Sequence, residues 1–205
     1  MTEERIFVSS GEVKLESLMD EAPGERVAVI THPHPLYGGD MHNPVVLSVV
    51  EAYREQGFTT VRFNFRGVGQ SEGTYQQGVG EQQDVASILG LVSQMGKTQV
   101  DLAGYSFGAW VNAMGLENFA PVKRMVMVSP PVGFLDFSFL KYNPRIQLVI
   151  AASQDEIAPP DQIKSMLKAW NPEAQLEIIQ GADHFYWGHT AQVKEILKDF
   201  LGPKA

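Results

Sequence analysis

Gly104-Tyr105-Ser106-Phe107-Gly108 follows an apolar run, Gln99-Val100-Asp101-Leu102-Ala103-Gly104, and precedes a stretch rich in small residues (Ala109, Ala113, Gly115). A G-x-S-x-G at a strand-to-helix junction has a mechanical reading. The serine must stand on a tight turn with strained backbone, so its neighbours must lack bulk where strand and helix crowd. Such a turn exposes the hydroxyl and aims the following helix N-terminus at the site, where developing negative charge is favoured. The bare pattern is common by chance. The strand before it and the helix after it give it weight.

On either side of this turn the chain alternates between short β-branched runs and helical stripes. Arg26–Thr31 is a near-continuous apolar run, as expected of a strand buried on both faces of a parallel sheet. Asn43-Pro44 reads as a helix cap with proline at the first helical position. Val46, Val49, Val50 and Tyr53 then share one face until Gly57. Thr59–Phe65 is the next strand, and Val85, Ile88, Leu89, Val92 and Met95 keep helical spacing up to Gly96. Met125–Val128, Ile146–Ile150 and Leu176–Ile179 read as strands; Ile163 to Trp170 and Val193 to Phe200 read as helices. Arg5–Val8 and Val13–Glu16 suggest an antiparallel hairpin on the sheet edge. The expectation is an α/β fold: a mostly parallel central sheet, helices on both faces, and an antiparallel N-terminal edge hairpin. No repeat or linker interrupts it, so residues 1–205 are read as one domain.

Composition narrows the chemistry. The 205 residues include 16 Lys+Arg, 24 Asp+Glu and no cysteine, for a net charge of −8. Without cysteine there is no thiolate catalysis, no disulfide, and no Cys-built zinc or iron–sulfur site. The acidic balance argues against nucleic-acid partners, since no basic surplus exists to release phosphate counterions. The start of the chain carries no apolar leader, and no run reaches the roughly 18 residues of a membrane span. A soluble, cytoplasmic protein with no membrane partner is expected.

A serine hydroxyl needs a base and an orienting group. The fold expects them downstream at strand ends, acid before histidine. Asp155 follows the Ile146–Ile150 strand, and His184 follows Leu176–Ile179 in Gly181-Ala182-Asp183-His184. The rivals of Asp155 are Glu156, Asp183 and Asp136. The rival of His184 is His189, five residues on, where a capping role at the last helix suffices.

With these residues in place the chain resembles the α/β-hydrolase superfamily over essentially its whole length. Thr31-His32-Pro33-His34-Pro35, Arg66-Gly67-Val68-Gly69-Gln70-Ser71 and the Asp155 loop ending in Pro159 match as well. Within the superfamily it looks like the compact, cap-less bacterial hydrolases related to dienelactone hydrolases and small esterases. It departs from the dienelactone enzymes at the nucleophile, which is cysteine there and Ser106 here. The resemblance implies Ser106 as nucleophile, His184 as general base then acid, and Asp155 as the group that orients and compensates the imidazolium. It also implies an oxyanion hole from the Phe107 amide and one amide of the early loop. His34 occupies the donor position, because Pro33 and Pro35 have no N–H.

His32-Pro33-His34 with Asp40-Met41-His42 superficially resembles a binuclear zinc cluster. Its spacing fails, with Asp40 six residues beyond His34 and Gly38-Gly39 between, so no metal and no cofactor are expected. His32 is expected to hydrogen-bond beneath the oxyanion loop, and His42 to lie near the next helix cap. Arg66-Gly67-Val68-Gly69 is too short of glycine for a nucleotide loop and reads as a turn beside the site.

Only Ser129 to Arg145 separates two strands where the superfamily inserts lids, too short for a helical cap domain. Tyr37, Phe134, Phe185 and Trp187, with Phe107, Phe137 and Tyr186, are the aromatics expected around an open, apolar site. The expected partner is a small-molecule ester or thioester. Two other readings stay open: a bare-domain relative of the prolyl-oligopeptidase peptidases, and a non-catalytic binding module on the same fold.

Overall fold

A computed structural model describes residues 3–202, so the expected 1–205 unit reaches past the described residues at both ends. Among the described residues eight strands form one sheet: β1 (Glu4–Ser10), β2 (Val13–Asp20), β3 (Arg26–Thr31), β4 (Thr59–Phe63), β5 (Gln99–Tyr105), β6 (Val122–Val128), β7 (Ile146–Ala152) and β8 (Gln175–Ile179). Their order across the sheet is β1-β2-β4-β3-β5-β6-β7-β8. β1 pairs with β2, and β2 with β4, antiparallel; every other pair is parallel. The hairpin occupies the edge expected of it.

β3 and β6 carry runs of consecutive apolar residues because alternate side chains enter two separate cores. Val27 and Val29 of β3 join one core; Ala28 and Ile30 join the other. Met125 and Met127 of β6 divide from Val126 and Val128 in the same way. This is the period of 2 expressed with both faces covered. On one face lie α1 (Pro44–Glu55) and α5 (Thr190–Leu201), packed through Val49, Tyr53, Val193 and Leu197. On the other lie α2 (Val79–Gln94), α3 (Phe107–Gly115) and α4 (Pro160–Trp170). Among the described residues no helix is long and apolar enough to cross a membrane.

Local chemistry sets the limits of these elements. The Asn43 side chain accepts from the Val45 amide at 2.9 Å, with Pro44 behind it, as the sequence predicts. α2 begins six residues before its apolar stripe, because the Glu81 carboxylate accepts from the amides of Gly78 and Gln76. β4 stops at Phe63, two residues short of the expected strand. There the chain peels off the ladder, and the amides of Phe65 and Arg66 turn to His32 and Asp84.

Between β6 and β7 the chain makes turns and no helical cap. Phe137 of this connection is buried, its ring 5.3 Å from Trp170. Since β4 and β5 flank β3 on opposite sides, the strand order reverses there. The crevice outside the carboxyl ends of such strands is where α/β sheets place ligands.

Candidate active site

Ser106 stands at the carboxyl end of β5 with φ 53° and ψ −119°, a region serine rarely occupies. The glycines around it answer a need for space. A Cβ at Gly104 would lie 2.6 Å from the Ala109 nitrogen, and one at Gly108 would lie 2.7 Å from the His32 oxygen. Strand, turn and α3 therefore pack backbone to backbone, and the turn projects the serine hydroxyl into the crevice.

The structure brings Ser106, His184 and Asp155 together. Ser106 Oγ lies 2.9 Å from His184 Nε2, and His184 Nδ1 lies 2.8 Å from Asp155 Oδ2. A carboxylate can only accept, so Nδ1 carries the proton and Nε2 is free to take one from the serine. Asp155 Oδ1 accepts from the amides of Ile157 and Ala158, at 2.9 and 2.7 Å. Burial pushes the Asp155 carboxyl up, but His184, the Ala158 amide and the Ser129 hydroxyl outweigh it and hold it below the usual carboxylate range. The rival carboxylates go elsewhere. Glu156 is exposed, Asp136 holds Ser138, and Asp183 accepts from the Phe185 amide. His189 does sit at the start of α5, yet its side chain makes no capping bond; its Nδ1 meets Gln192 Oε1 at 3.2 Å instead.

Two contributors to this cluster were not legible as such in the sequence. Ser129, the first residue after β6, donates to Asp155 Oδ2 at 2.8 Å, and its Oγ lies 2.7 Å from the Tyr186 hydroxyl. Both residues are fully buried and both have positive φ, 42° and 55°. Tyr186, expected among the pocket aromatics, instead lies beneath the acid. Its inward turn leaves the next side chain outside: Trp187 is 75% exposed and does not line the cleft, which corrects that expectation. The Tyr105 hydroxyl donates to the His184 carbonyl at 2.6 Å and fixes the histidine backbone.

Ser106 and His184 open into a cleft of about 410 Å³. Tyr37, Phe134 and Phe185 line it, together with Pro131, Leu135 and Ile157. His34 and Phe107 line it too, and among the described residues neither amide donates a hydrogen bond. The His34 ring is held among Tyr37, Tyr75 and Phe107, with centroids 4.6–5.1 Å away. Its Nδ1 accepts from the Leu36 amide and its Nε2 meets the Tyr75 hydroxyl, both at 3.2 Å. His32, wholly buried, contacts the Pro33 carbonyl through Nδ1 and accepts the Phe65 amide through Nε2. It braces the loop from below as expected, and both histidines of this run have protein partners at both ring nitrogens. His42 directly precedes the Asn43 cap.

A model of the alpha/beta hydrolase family matches residues 29–152. An uncharacterized protein of Rickettsia prowazekii (strain Madrid E) is 32% identical over 209 residues, spanning 96% of this chain and 88% of that protein. Among solved structures, an alpha-beta serine hydrolase homologue from Coxiella burnetii aligns with a TM-score of 0.91 at 34% identity, covering 98% of this chain and 99% of its own. A Xanthomonas campestris protein, described as a member of the a/b serine hydrolases without lid, aligns at 0.87 and 30% identity, covering 99% and 97%.

Proposed function

Because the chain belongs to the alpha/beta hydrolase family, we propose that it cleaves small-molecule carboxylic esters or thioesters through an acyl-enzyme on Ser106. The observation that carries this reading is the continuous hydrogen-bonded line from Ser106 Oγ through the His184 ring to Asp155 at the floor of an apolar cleft.

In the first step Ser106 Oγ attacks the carbonyl carbon while His184 Nε2 takes the hydroxyl proton. The carbonyl π pair moves onto oxygen, which the amides of His34 and Phe107 hold. Removing one such donor costs on the order of 3 kcal/mol of transition-state stabilisation. The tetrahedral adduct collapses, the C–O or C–S bond to the leaving group breaks, and the proton on His184 Nε2 goes to the departing oxygen or sulfur. Water, losing its proton to His184, then attacks the acyl carbon. The second adduct releases the carboxylic acid and returns the proton to Ser106. Asp155 compensates the imidazolium in both steps. The apolar lining from Pro131, Phe134, Leu135 and Ile157 favours uncharged acyl or alcohol groups.

A fluorophosphonate probe should label the wild type covalently, and Ser106→Ala should abolish both labelling and ester turnover. Labelling that persists in Ser106→Ala would overturn the assignment.

A further inference from the structure

The two walls of the cleft differ in chemistry, and the strand order says why. The loop after β3 lies on one side of the Ser106 strand; those after β6, β7 and β8 lie on the other. The second side contributes Pro131, Phe134, Leu135, Ile157 and Phe185, besides His184 itself. The β3 side contributes Gly38, Gly39, Tyr37 and Asn43.

Asn43 is the unusual member of that wall. Its cap bond settles which way its amide is turned. The Val45 N–H must meet an acceptor, so Oδ1 faces the helix and Nδ2 faces away from it. Among the described residues Nδ2 has no acceptor, and Asn43 lines the cleft. The other polar side chains there are engaged. His34 is held by Leu36 and Tyr75, Tyr105 binds the His184 carbonyl, and Ser106 and His184 bind each other. Tyr37 is 76% exposed at the rim.

Building on the ester reading above, we propose that Asn43 is a specificity-determining residue whose Nδ2 donates to an ether, hydroxyl or carbonyl oxygen of the substrate. The substrate class is then an uncharged ester with an apolar group on one side and a hydrogen-bond-accepting oxygen a few atoms from the scissile carbonyl. A helix cap needs only an oxygen, which serine or aspartate supplies as well as asparagine does. Beyond the capping oxygen, asparagine brings the N–H donors of Nδ2 at the end of its side chain, where aspartate brings none and serine only one hydroxyl on a shorter side chain.

The test uses two isosteric pairs that differ by one oxygen: p-nitrophenyl methoxyacetate against p-nitrophenyl butyrate, and 2-methoxyethyl butyrate against butyl butyrate. The readout is the oxygen-to-alkyl ratio of kcat/KM in the wild type, Asn43→Asp and Asn43→Ser. Both variants keep a capping oxygen, which the thermal midpoint and near-UV dichroism check. In both variants the ratio should fall by about 5–10-fold for at least one pair, the worth of one hydrogen bond to the substrate. Ratios unchanged within about twofold for both pairs, in enzymes that turn over normally, would overturn the role of Asn43 and leave the ester reading standing. A wild type that hydrolyses none of the four would overturn both.

Discussion

Ser129 shows how much of this site depends on residues without a motif. Its hydroxyl bridges Tyr186 and Asp155 Oδ2 inside the protein, on a backbone turned to positive φ. A hydrogen bond to a buried charged group is worth about 1.5–3 kcal/mol, so its loss should be felt in the orientation of the acid. Ser129→Ala is expected to lower kcat by roughly tenfold with little change in KM, because Ser129 touches the acid and not the substrate. Ser129→Thr, which keeps the hydroxyl, should recover most of the loss; an undiminished kcat in Ser129→Ala, or a loss that Ser129→Thr does not recover, would refute the positioning role. No sequence pattern announces this pair. A serine before two prolines reads as the end of a strand, and only the tertiary placement of β6 beside β7 brings its hydroxyl to the acid.

His32 supplies a second effect at this scale. Burial lowers its pKa from 6.5 to about 4, against the support of the Pro33 carbonyl and Asp40. An unfolded chain takes up that proton near 6.5, whereas the folded one resists until about 4. As pH falls through this window the unfolded state therefore binds more protons and stability declines. Below about 4 the decline stops, after a loss of about 3 kcal/mol. Urea midpoints between pH 7 and 4 should show this slope in the wild type, and a flatter one in His32→Gln whatever its absolute stability. Equal slopes would contradict it.

At the scale of elements, the sequence was most legible where one rule governs a position. The Asn43-Pro44 cap, the parallel strands with apolar residues on both faces and the G-x-S-x-G turn each follow from local requirements. The ends of β4 and α2 do not, because distant partners decide them: His32 and Asp84 at one, the reach of Glu81 at the other. Trp187 failed for the same reason, since which of two adjacent aromatics enters the protein depends on Ser129 waiting for Tyr186.

Two glycines on elements make a paired prediction. A Cβ at Gly104 would meet the backbone of α3 at 2.6 Å, which nothing flexible can relieve, so Gly104→Ala should cost about 2 kcal/mol or more. At Gly90, inside α2, a Cβ meets nothing within 4 Å, so Gly90→Ala should stabilise by about 0.5–1 kcal/mol. Denaturant midpoints measured on the two variants together test the packing assigned to the elbow.

The whole molecule adds a long-range field to the cleft. The chain carries −8 overall, and among the described residues no Lys, Arg, Asp or Glu side chain lines the cavity. Exposed Asp136 and Glu156 lie one residue from Leu135 and Ile157 of its lining. An ester bearing a carboxylate away from the scissile bond therefore approaches against repulsion, with no cation among the described lining residues to offset it, whereas an uncharged ester of similar size meets none. Salt separates the two cases, because the screening length shrinks from about 30 Å at 0.01 M to about 3 Å at 1 M. Over that range kcat/KM for a monoalkyl succinate should rise by roughly 3–10-fold, while that for the neutral ester should stay nearly flat. A rise in both alike would point to salting effects on the apolar cleft. A fall for the anionic ester would mean that a cation meets it on the way in, contrary to the charge distribution of this molecule.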